Sequence, residues 1–369
     1  MNRRDLLLST GALALAARAQ ALAADGDGIS KEARALYERA IVFDANLSPP
    51  VDGDLPLKPE DLAMVKSSGV TAMKTSLGGT DEKFEDTIAE IAYLQRVVEY
   101  YPDIFLQIRL ASDFARAKRE KKTGIILSFE SADMFEGKVE RIELFRSLGV
   151  RVMQLSYNKT SLWASGVMAN PPTGLSDLGR KAVAEMNKQG VAIDISHASE
   201  PTSKDVLAAS KPPVIITHAG CAAIHAHPRN KPDWLLKAVA DKGGVVGIFD
   251  LPYLTASPKQ PTLDDYMAHM THALSVCGED HVGIGSDSQL GPFDLSPAGM
   301  ESFRKETERR QKTGVAAPEE DRPMYVIGMN TPRRCEVIAD ALLKRGYSAR
   351  VAEKVLGSNF VGALTRIWG

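Results

Sequence analysis

The run VAIDISH, from Val191 to His197, is short, rich in Val and Ile, and ends on a histidine. Three other runs share this form and also end on a residue whose side chain can bind a metal ion or transfer a proton. They are GIILSFE (Gly124–Glu130), PVIITH (Pro213–His218) and HVGIGSD (His281–Asp287). Apolar runs of this length are typical of parallel strands buried on both faces. Parallel strands of a closed barrel end at one shared mouth. The sequence therefore predicts that four side chains meet there: Glu130, His197, His218 and Asp287.

Strand and helix patterns alternate along the rest of the chain. Further strands are expected at Ala40–Asn46, Val70–Ser76, Arg151–Tyr157 and Gly244–Phe249, with Ile104–Arg109 as an extra strand beside the barrel. Helical spacing of apolar residues and capping signals predict helices at Glu60–Ser68, Glu82–Tyr101, Val139–Leu148 and Ser176–Gly190. Eight strands that alternate with helices favour an α/β fold of the TIM-type (β/α)8 barrel class over an open doubly wound sheet.

The composition is that of a globular protein. The chain has 369 residues, 45 basic and 47 acidic, with a net charge of -2, so nothing indicates a nucleic-acid surface or a polybasic membrane patch. We expect a single barrel domain over residues 24–369. Within it, Pro297–Pro323 is interpreted as a polar helix and surface loop, and Asn330–Gly369 as two helices packed on the barrel. Three cysteines, far apart and odd in number, are interpreted as buried thiols: Cys221, Cys277 and Cys335.

The first 23 residues have the order of an export signal. Arg3 and Arg4 precede an Ala- and Leu-rich stretch that ends in Ala21-Leu22-Ala23. The paired arginines indicate a twin-arginine signal, the alternative being an ordinary secretory signal that contains two arginines. Arg18 interrupts the apolar stretch, so no permanent membrane span is expected. We expect cleavage near Ala23 and a soluble periplasmic product.

Two imidazoles and a carboxylate at one barrel mouth predict a metal site. A single histidine at a strand end is usually structural, but His197 and His218 occupy equivalent ends and Glu130 shares their register. Nitrogen and oxygen ligands of this kind suit zinc and leave a position open for water, whose pKa the metal lowers to about 7. Asp287 is interpreted as a general base and acid, the alternative being a helix-capping aspartate.

Two further residues are candidates for contacts with a substrate. Arg229, in the loop sequence HAHPRNKPD, either holds a carboxylate in two parallel hydrogen bonds or forms a surface ion pair. Tyr157, at the end of RVMQLSY, either donates a hydrogen bond to a carbonyl oxygen or fills the rim of the barrel. Four other histidines are interpreted as solvated loop or helix-surface residues rather than metal ligands: His225, His227, His269 and His272.

At these residues the chain resembles the membrane dipeptidase family, the renal dipeptidase-like M19 peptidases of the amidohydrolase superfamily. The matching segments are GLSDLGRKAVAEMNKQGVAIDISHAS (174–199), PVIITHAGCAAIHAHPRNKPDWLLKAVADKGGVVGIF (213–249), HVGIGSD and RGYSARVAEKVLGSNF (345–360). The resemblance implies a distorted eight-stranded barrel and a two-zinc site that cleaves dipeptides, with tolerance for a D-residue at the C-terminal position. It also makes a homodimer the expected assembly.

The resemblance further implies a role for each predicted site residue. Glu130 would bridge the metals, while His197 and His218 would bind one zinc ion. Arg229 would hold the substrate's C-terminal carboxylate, and Asp287 would transfer the proton.

The chain departs from the family at two places. Family members carry His-x-Asp at the end of the first strand for the other zinc, where this chain has Asn46 and Ser48. An amide and a hydroxyl are weaker zinc ligands than imidazole and carboxylate. One firmly bound zinc ion is therefore expected, and a second site, with Asp44, Asn46 and Ser48 as weak candidates, is weakened or absent. Tyr157 replaces a histidine that the family uses on the substrate carbonyl, and it carries no positive charge.

Three functions are compatible with these residues. The first is a periplasmic zinc-dependent dipeptidase in which metal-activated water attacks the peptide bond. The second, motivated by the altered pocket, is a hydrolase of another carboxylate-bearing amide, ester or lactone. The third is a non-catalytic periplasmic binding protein with a remnant metal site. The expected partner is a dipeptide or another small molecule, and no nucleic acid.

Overall fold

The computed structural model describes residues 28–51 and 53–369. The expected export signal, residues 1–23, lies outside the described residues. Among the residues that are described, no helix combines the length and the apolar character that a membrane crossing requires. The first helix of the described region, α1 (Lys31–Arg39), is capped by the side chain of Ser30.

The strands of the described region are short, and most are parallel to their neighbours. Their bounds are β1 Phe43–Asp44, β2 Leu47–Ser48, β3 Ala72–Leu77, β4 Phe105–Gln107, β5 Thr123–Phe129, β6 Val150–Met153, β7 Ala192–Ile193, β8 Ile216–Cys221, β9 Asn230–Lys231, β10 Val246–Ile248, β11 Val282–Ile284 and β12 Ser288–Gln289. Several are shorter than the sequence predicts, because polar residues at their carboxyl ends leave the ladder to line the mouth.

Eight strands form a ring in sequence order. Parallel pairing runs from β1 through β3, β5 and β6 to β7, and from β1 through β11 and β10 to β8. A parallel bridge between Asp194 and Ile215 joins β7 to β8 and closes the ring, with backbone hydrogen bonds on both sides of Ile215. The expected eight-stranded barrel is confirmed. Strand β4 pairs with β5 outside the ring, as expected for Ile104–Arg109.

Helices connect the strands of the ring. After α1 they are α2 Pro59–Ser68, α3 Phe84–Tyr100, α4 Ser112–Glu120, α5 Arg141–Ser147, α6 Asp177–Gln189, α7 Glu200–Ala209, α8 Asp233–Asp241, α9 Leu263–Cys277, α10 Pro297–Thr313, α11 Arg334–Lys344, α12 Ala349–Glu353 and α13 Asn359–Trp368. Ser176 caps α6 by accepting from the Gly179 N–H, and Gly190 ends it in the left-handed region, as the sequence predicts.

The C-terminal helix α13 closes the end of the barrel where the strands begin. Phe360 is buried and packs edge-on against Phe43, the first residue of β1, with ring centroids 5.7 Å apart. The ring of Phe360 lies so close to Gly283 that a Cβ there would be 2.6 Å from it. This apolar plug leaves the carboxyl ends of the strands as the only open end of the ring in the described structure.

Two expectations for the C-terminal third are wrong. The tail contains three α-helices rather than two, because Ser348 caps a new helix, α12, and a kink at Gly357, whose φ of 174° and ψ of -28° are not helical, separates it from α13. The segment after α10 is not a simple surface loop, since Glu320 and Arg322 are buried and hydrogen-bonded. The expectation of buried thiols is confirmed for all three cysteines.

Candidate metal centre

Two histidines and a glutamate meet at the open end of the barrel. The Nε2 atoms of His197 and His218 are 3.0 Å apart, and Glu130 Oε2 lies 3.6 Å from His197 Nε2. One ligand atom from each of these residues falls within 4.8 Å of the others, and the described residues contain no second group of this kind. Asp287 lies beside them, with Oδ2 3.8 Å from His218 Nε2. The structure thus brings together the four residues that end the predicted strands.

The imidazole of His197 is fixed by the segment that follows β6. Its Nδ1 lies 2.8 Å from Asn158 Oδ1, and the other end of that amide donates to the Val315 carbonyl. An amide oxygen only accepts hydrogen bonds, so His197 Nδ1 carries the proton and Nε2 presents its lone pair. The ring of Tyr157 stacks on the imidazole at a centroid distance of 4.1 Å. His197 is therefore held in one orientation and one tautomer.

His218 is fixed by a buried hydrogen-bond chain. Its Nδ1 lies 2.8 Å from Thr217 Oγ1, and the Thr217 hydroxyl donates to the buried carboxylate of Asp194. Asn46 Nδ2 also lies 3.1 Å from His218 Nδ1, but its two hydrogens go to Glu130 Oε1 and Asp287 Oδ1. The threonine oxygen is then the acceptor for His218 Nδ1–H, which leaves the Nε2 lone pair free. Asp194 also accepts from the Ser196 hydroxyl and from Gln154 Nε2. Partners behind a ligating histidine of this kind set its tautomer and orientation.

The arrangement fits a bound metal ion. Two lone pairs that face each other at 3.0 Å repel, and a cation between them removes the repulsion. Burial, aided by the positive charge of Arg229, holds the pKa of His197 and His218 well below the usual range. Both rings are therefore neutral at neutral pH, which is the form that binds metals. With the Glu130 carboxylate they make a ligand set that suits zinc and leaves a position for water.

Asp287 is presented to this site by a strained backbone. Its φ of 58° lies in the left-handed region, and its N–H donates to the Asn46 carbonyl at 2.7 Å. Gly285 makes the approach possible, because a Cβ at that position would lie 1.8 Å from the Thr217 carbonyl oxygen. Burial and the negative charge of Glu130 raise the pKa of Asp287 above that of an ordinary aspartate. A raised pKa suits a group that takes up and returns a proton near neutral pH.

Asn46 and Asp44, from the predicted first strand, form hydrogen bonds with other residues of the protein. Asn46 Nδ2 lies 2.8 Å from Glu130 Oε1 and 2.7 Å from Asp287 Oδ1, so its two hydrogens serve two carboxylates. Asp44 is turned away from the histidines and accepts from the backbone N–H groups of Asn46 and Ser286 and from the Ser286 hydroxyl. Ser48 is half-buried and lines a cavity beside Asn46.

Arg229 lies buried next to Asp287 rather than on the surface. Its Nη2 atom is 3.7 Å from Asp287 Oδ2, and in the described part of the chain neither Nη2 nor Nε has a hydrogen-bond partner. A buried guanidinium with unpaired donors costs free energy, which a carboxylate ligand would recover through charged hydrogen bonds. The alternative of a surface ion pair does not fit this burial.

Tyr157 is linked to the segment around α10. Its hydroxyl accepts a hydrogen bond from Arg310 Nη2 at 3.4 Å. Arg310 is in turn paired with Glu320, a buried residue that also accepts from the Tyr253 hydroxyl. Burial raises the pKa of Tyr157, so its hydroxyl keeps its proton and remains a hydrogen-bond donor. Residues of the polar stretch Pro297–Pro323 therefore reach the mouth, which sequence reasoning missed.

The four histidines interpreted as solvated make contacts within the protein. His225 Nε2 lies 3.2 Å from Glu319, and His272 Nε2 lies 2.8 Å from Asp233. His227 is buried rather than solvated, because it is hydrogen-bonded to the Pro318 carbonyl and its ring stacks on Tyr253. The expectation of a surface position is also wrong for His269, which is buried: it accepts from the Cys221 N–H and donates to the Leu254 carbonyl.

Several residues near the site were not singled out from the sequence. Lys74 and Ser76 lie on β3 beside Glu130. The signal for Lys74 was a charge inside the run AMKTSL, at a position where a buried strand normally has an apolar residue. A cavity of about 790 Å³ opens from Asn46, Glu130 and Asp287, and its lining includes Phe293, Phe303, Met324 and Tyr325. Phe303 lies on α10, and the other three come from irregular segments that have no periodic pattern.

Comparison with known proteins identifies the family. The model of the membrane dipeptidase family (peptidase family M19) matches residues 31–307. This chain belongs to the membrane dipeptidase family. Among its relatives, the dipeptidase tcpJ of Claviceps purpurea (strain 20.1) is 30% identical over 285 residues, which cover 76% of this chain and 60% of that protein. The dipeptidase verJ of Clonostachys rogersoniana is 33% identical over 229 residues, 61% of this chain and 58% of that protein. The match therefore spans less than two thirds of either relative.

Solved structures share the fold of this chain. An amidohydrolase from Pseudomonas aeruginosa superposes with a TM-score of 0.80 and 30% sequence identity, over 91% of this chain and 99% of the other. A metallopeptidase from Rhodobacter sphaeroides, liganded with a phosphinate mimic of the dipeptide L-Ala-D-Ala, has a TM-score of 0.73 and 19% identity over 89% of this chain and 100% of the other. The fold of this chain is thus also that of these two structures.

Asn158 gives a test of the metal centre. Replacing Asn158 with Ala removes the acceptor that orients His197, so we expect zinc affinity to fall about 10- to 100-fold. Competition with a chromophoric chelator measures the change. Asn187→Ala, at a half-buried amide on α6 that accepts only from Ser210, is the matched control and should leave the affinity unaltered. Equal zinc affinity in the Asn158 variant and the wild type would contradict the assigned role of His197.

Proposed function

We propose that this protein hydrolyses dipeptides with one zinc ion held by Glu130, His197 and His218. The observation that carries the proposal is the pair of imidazole nitrogens 3.0 Å apart, with their lone pairs directed at one point beside a carboxylate. Membership of the membrane dipeptidase family supports the class of reaction. Zinc bound there supplies a Lewis acid that lowers the pKa of a water molecule and polarises the carbonyl of the scissile bond.

Asp287 is the proposed proton carrier. Asn46 holds its Oδ1 atom, while Oδ2 faces His218 Nε2 at 3.8 Å and Arg229 Nη2 at 3.7 Å. The carboxylate is thereby fixed with one oxygen directed toward the place where water and substrate would meet. Its raised pKa allows it to take a proton from the attacking water and return it to the leaving amine.

The unpaired guanidinium of Arg229 is the proposed anchor for the C-terminal carboxylate of the substrate. Tyr157, stacked on His197 and still protonated, is the proposed donor to the carbonyl oxygen as charge develops on it. Because Arg229 recognises only the carboxylate, the proposal extends to dipeptides with a D-residue at the C-terminal position, in keeping with the family.

The cavity beside the site favours a second candidate, the hydrolysis of another carboxylate-bearing amide, ester or lactone. Its volume of about 790 Å³ exceeds what two small residues fill. Phe293 packs against Phe303 and Tyr325, with ring centroids 5.6 Å and 5.9 Å apart, so one wall is aromatic. An N-acyl amino acid with a large apolar acyl group would place that group against this wall and its carboxylate at Arg229.

A substitution of Arg229 tests its proposed role as the anchor for the substrate carboxylate. We expect Arg229→Met to lower kcat/KM at least about tenfold on a dipeptide, because a buried charge-assisted hydrogen bond is lost. The same dipeptide with an amidated C-terminus lacks the carboxylate, so the variant and the wild type should hydrolyse it at similar low rates. Steady-state kinetics of the zinc-loaded proteins on both substrates measures the difference.

A substrate panel separates the two candidates. L,L-dipeptides, L,D-dipeptides and N-acyl amino acids are compared with the zinc-loaded wild type. Turnover of dipeptides supports the first candidate, and turnover of N-acyl amino acids alone supports the second. If Arg229→Met leaves kcat/KM unchanged on every substrate with a carboxylate, the role of Arg229 as the anchor is contradicted in both candidate functions.

A substitution of Asp287 tests its proposed role as the proton carrier. Asp287→Asn should lower kcat about 10²- to 10⁴-fold, because the amide cannot accept the proton. In the wild type the carboxylate acts when deprotonated, so kcat should fall as the pH drops through a pKa above the ordinary aspartate value of about 3.9. That acid limb should be missing from the residual activity of the variant. Asp205→Asn, at a partly exposed aspartate paired with Arg180, is the control, and an unchanged profile in Asp287→Asn would contradict the assignment.

We propose that the protein acts in the periplasm, where the Arg3-Arg4 signal would deliver it. Support comes from the sequence of residues 1–23 alone. Replacing both arginines with lysine should retain the protein in the cytoplasm of a bacterium with twin-arginine export. Cell fractionation with antibody detection measures this, and equal periplasmic amounts of both forms would favour the ordinary secretory signal.

A further inference from the structure

Lys74 is a buried cation at the metal centre. It lies on β3 and only 1% of its residue surface is exposed. Its Nζ atom donates to Ser76 Oγ at 3.1 Å and is 3.8 Å from Glu130 Oε1. A buried ammonium requires an opposite charge nearby, and Glu130 is the one carboxylate of the described chain that lies within 4 Å of it.

The two oxygens of Glu130 face different surroundings. Oε2 faces His197, on the side where the zinc ligands converge. Oε1 accepts hydrogen bonds from Asn46 Nδ2 at 2.8 Å and Ser76 Oγ at 2.9 Å, with the Lys74 ammonium beyond them. One oxygen is thus open to a metal ion, and the other is already surrounded by donors and a positive charge of the protein.

We propose that the Lys74 ammonium, with the Asn46 amide, takes the place of a second metal ion on the Oε1 side of Glu130. The inference rests on the proposed one-zinc function and explains how the site is stable without the other ion. A divalent cation together with one aspartate ligand contributes a net charge of +1. A lysine together with the uncharged Ser48 contributes the same net charge, so Glu130 keeps a cation on each side.

The charge of Lys74 also acts on the rest of the site. It lowers the pKa of Asp287 and of both histidines, in the same direction as Arg229. A metal ion on the Oε1 side would face the same ammonium even after Asn46 is replaced. Restoring the metal-binding residues of the first strand should therefore not be sufficient to bind a second ion while Lys74 remains.

Metal counting after equilibrium dialysis against zinc tests this inference. We expect about one zinc per chain for the wild type and for the double variant Asn46→His, Ser48→Asp, which restores the ligand types of the family. Adding Lys74→Gln should raise the count to about two. The matched control adds Lys231→Gln instead, because Lys231 is another buried lysine of the mouth whose Nζ donates to the Ala198 carbonyl and does not contact Glu130.

A second pair of variants, in which the side-chain volume changes little, keeps the test valid if the Asn46→His variant misfolds. Asn46→Asp supplies a carboxylate ligand with little change in volume, and it is counted with and without Lys74→Gln. Thermal denaturation followed by circular dichroism establishes that each variant is folded. The expected result is a gain of about one zinc ion on removal of Lys74 in either background, and no gain on removal of Lys231.

The difference in bound zinc between variants tests the role of Lys74, and the number of zinc ions bound by the wild type tests the proposed function. A second zinc bound by the double variant with Lys74 in place would overturn the inference. So would folded Lys74→Gln variants that gain no zinc in either background. A wild type that binds no zinc would contradict the one-zinc function, and the role of Lys74 would then still be decided by the gain in the variants. A wild type that binds two zinc ions would contradict both.

Discussion

The site at the mouth of the barrel depends on the fixed orientation of two imidazole rings, in which the Nε2 atoms of His197 and His218 face each other. Each ring is fixed from behind, His197 by Asn158 and His218 by Thr217, so that both lone pairs are directed at one point. Asp194 connects this orientation to the fold. Its backbone neighbours Ile193 and Ile195 form the hydrogen bonds to Ile215 that close the ring of strands, and its side chain accepts from Thr217. The segment that closes the barrel therefore also orients the histidine.

Charge is distributed unevenly around Glu130, and this asymmetry organises the rest of the site. The neutral histidines lie on the Oε2 side, where a cation is needed, and Lys74 and Asn46 lie on the Oε1 side, where positive charge is built in. Arg229, whose Nη2 and Nε atoms have no hydrogen-bond partner among the described residues, adds a positive charge next to Asp287. This distribution of charge supports the proposed single metal ion and the proposed anionic group of a substrate.

The sequence predicted those parts of the molecule that follow from strand periodicity. The barrel, the cap of α6 by Ser176 and the meeting of Glu130 with His197 and His218 all depend on apolar runs and their ends. Residues of the stretch Pro297–Pro323 were missed: Arg310, on α10, and Glu320, after it, belong to a stretch whose polarity resembles a solvated surface. Their burial depends on pairing across the fold, which local composition does not reveal. His269 was misplaced for the same reason, because its partners are backbone groups distant in sequence.

Anomalous scattering at the zinc absorption edge, measured on crystals of the zinc-loaded protein, tests the central claim most directly. The account predicts one strong peak bonded to Nε2 of His197, Nε2 of His218 and a carboxylate oxygen of Glu130, with the Lys74 ammonium on the opposite side of that carboxylate. The absence of a peak between the two histidines, or a second peak of equal strength beside Asn46, would contradict it.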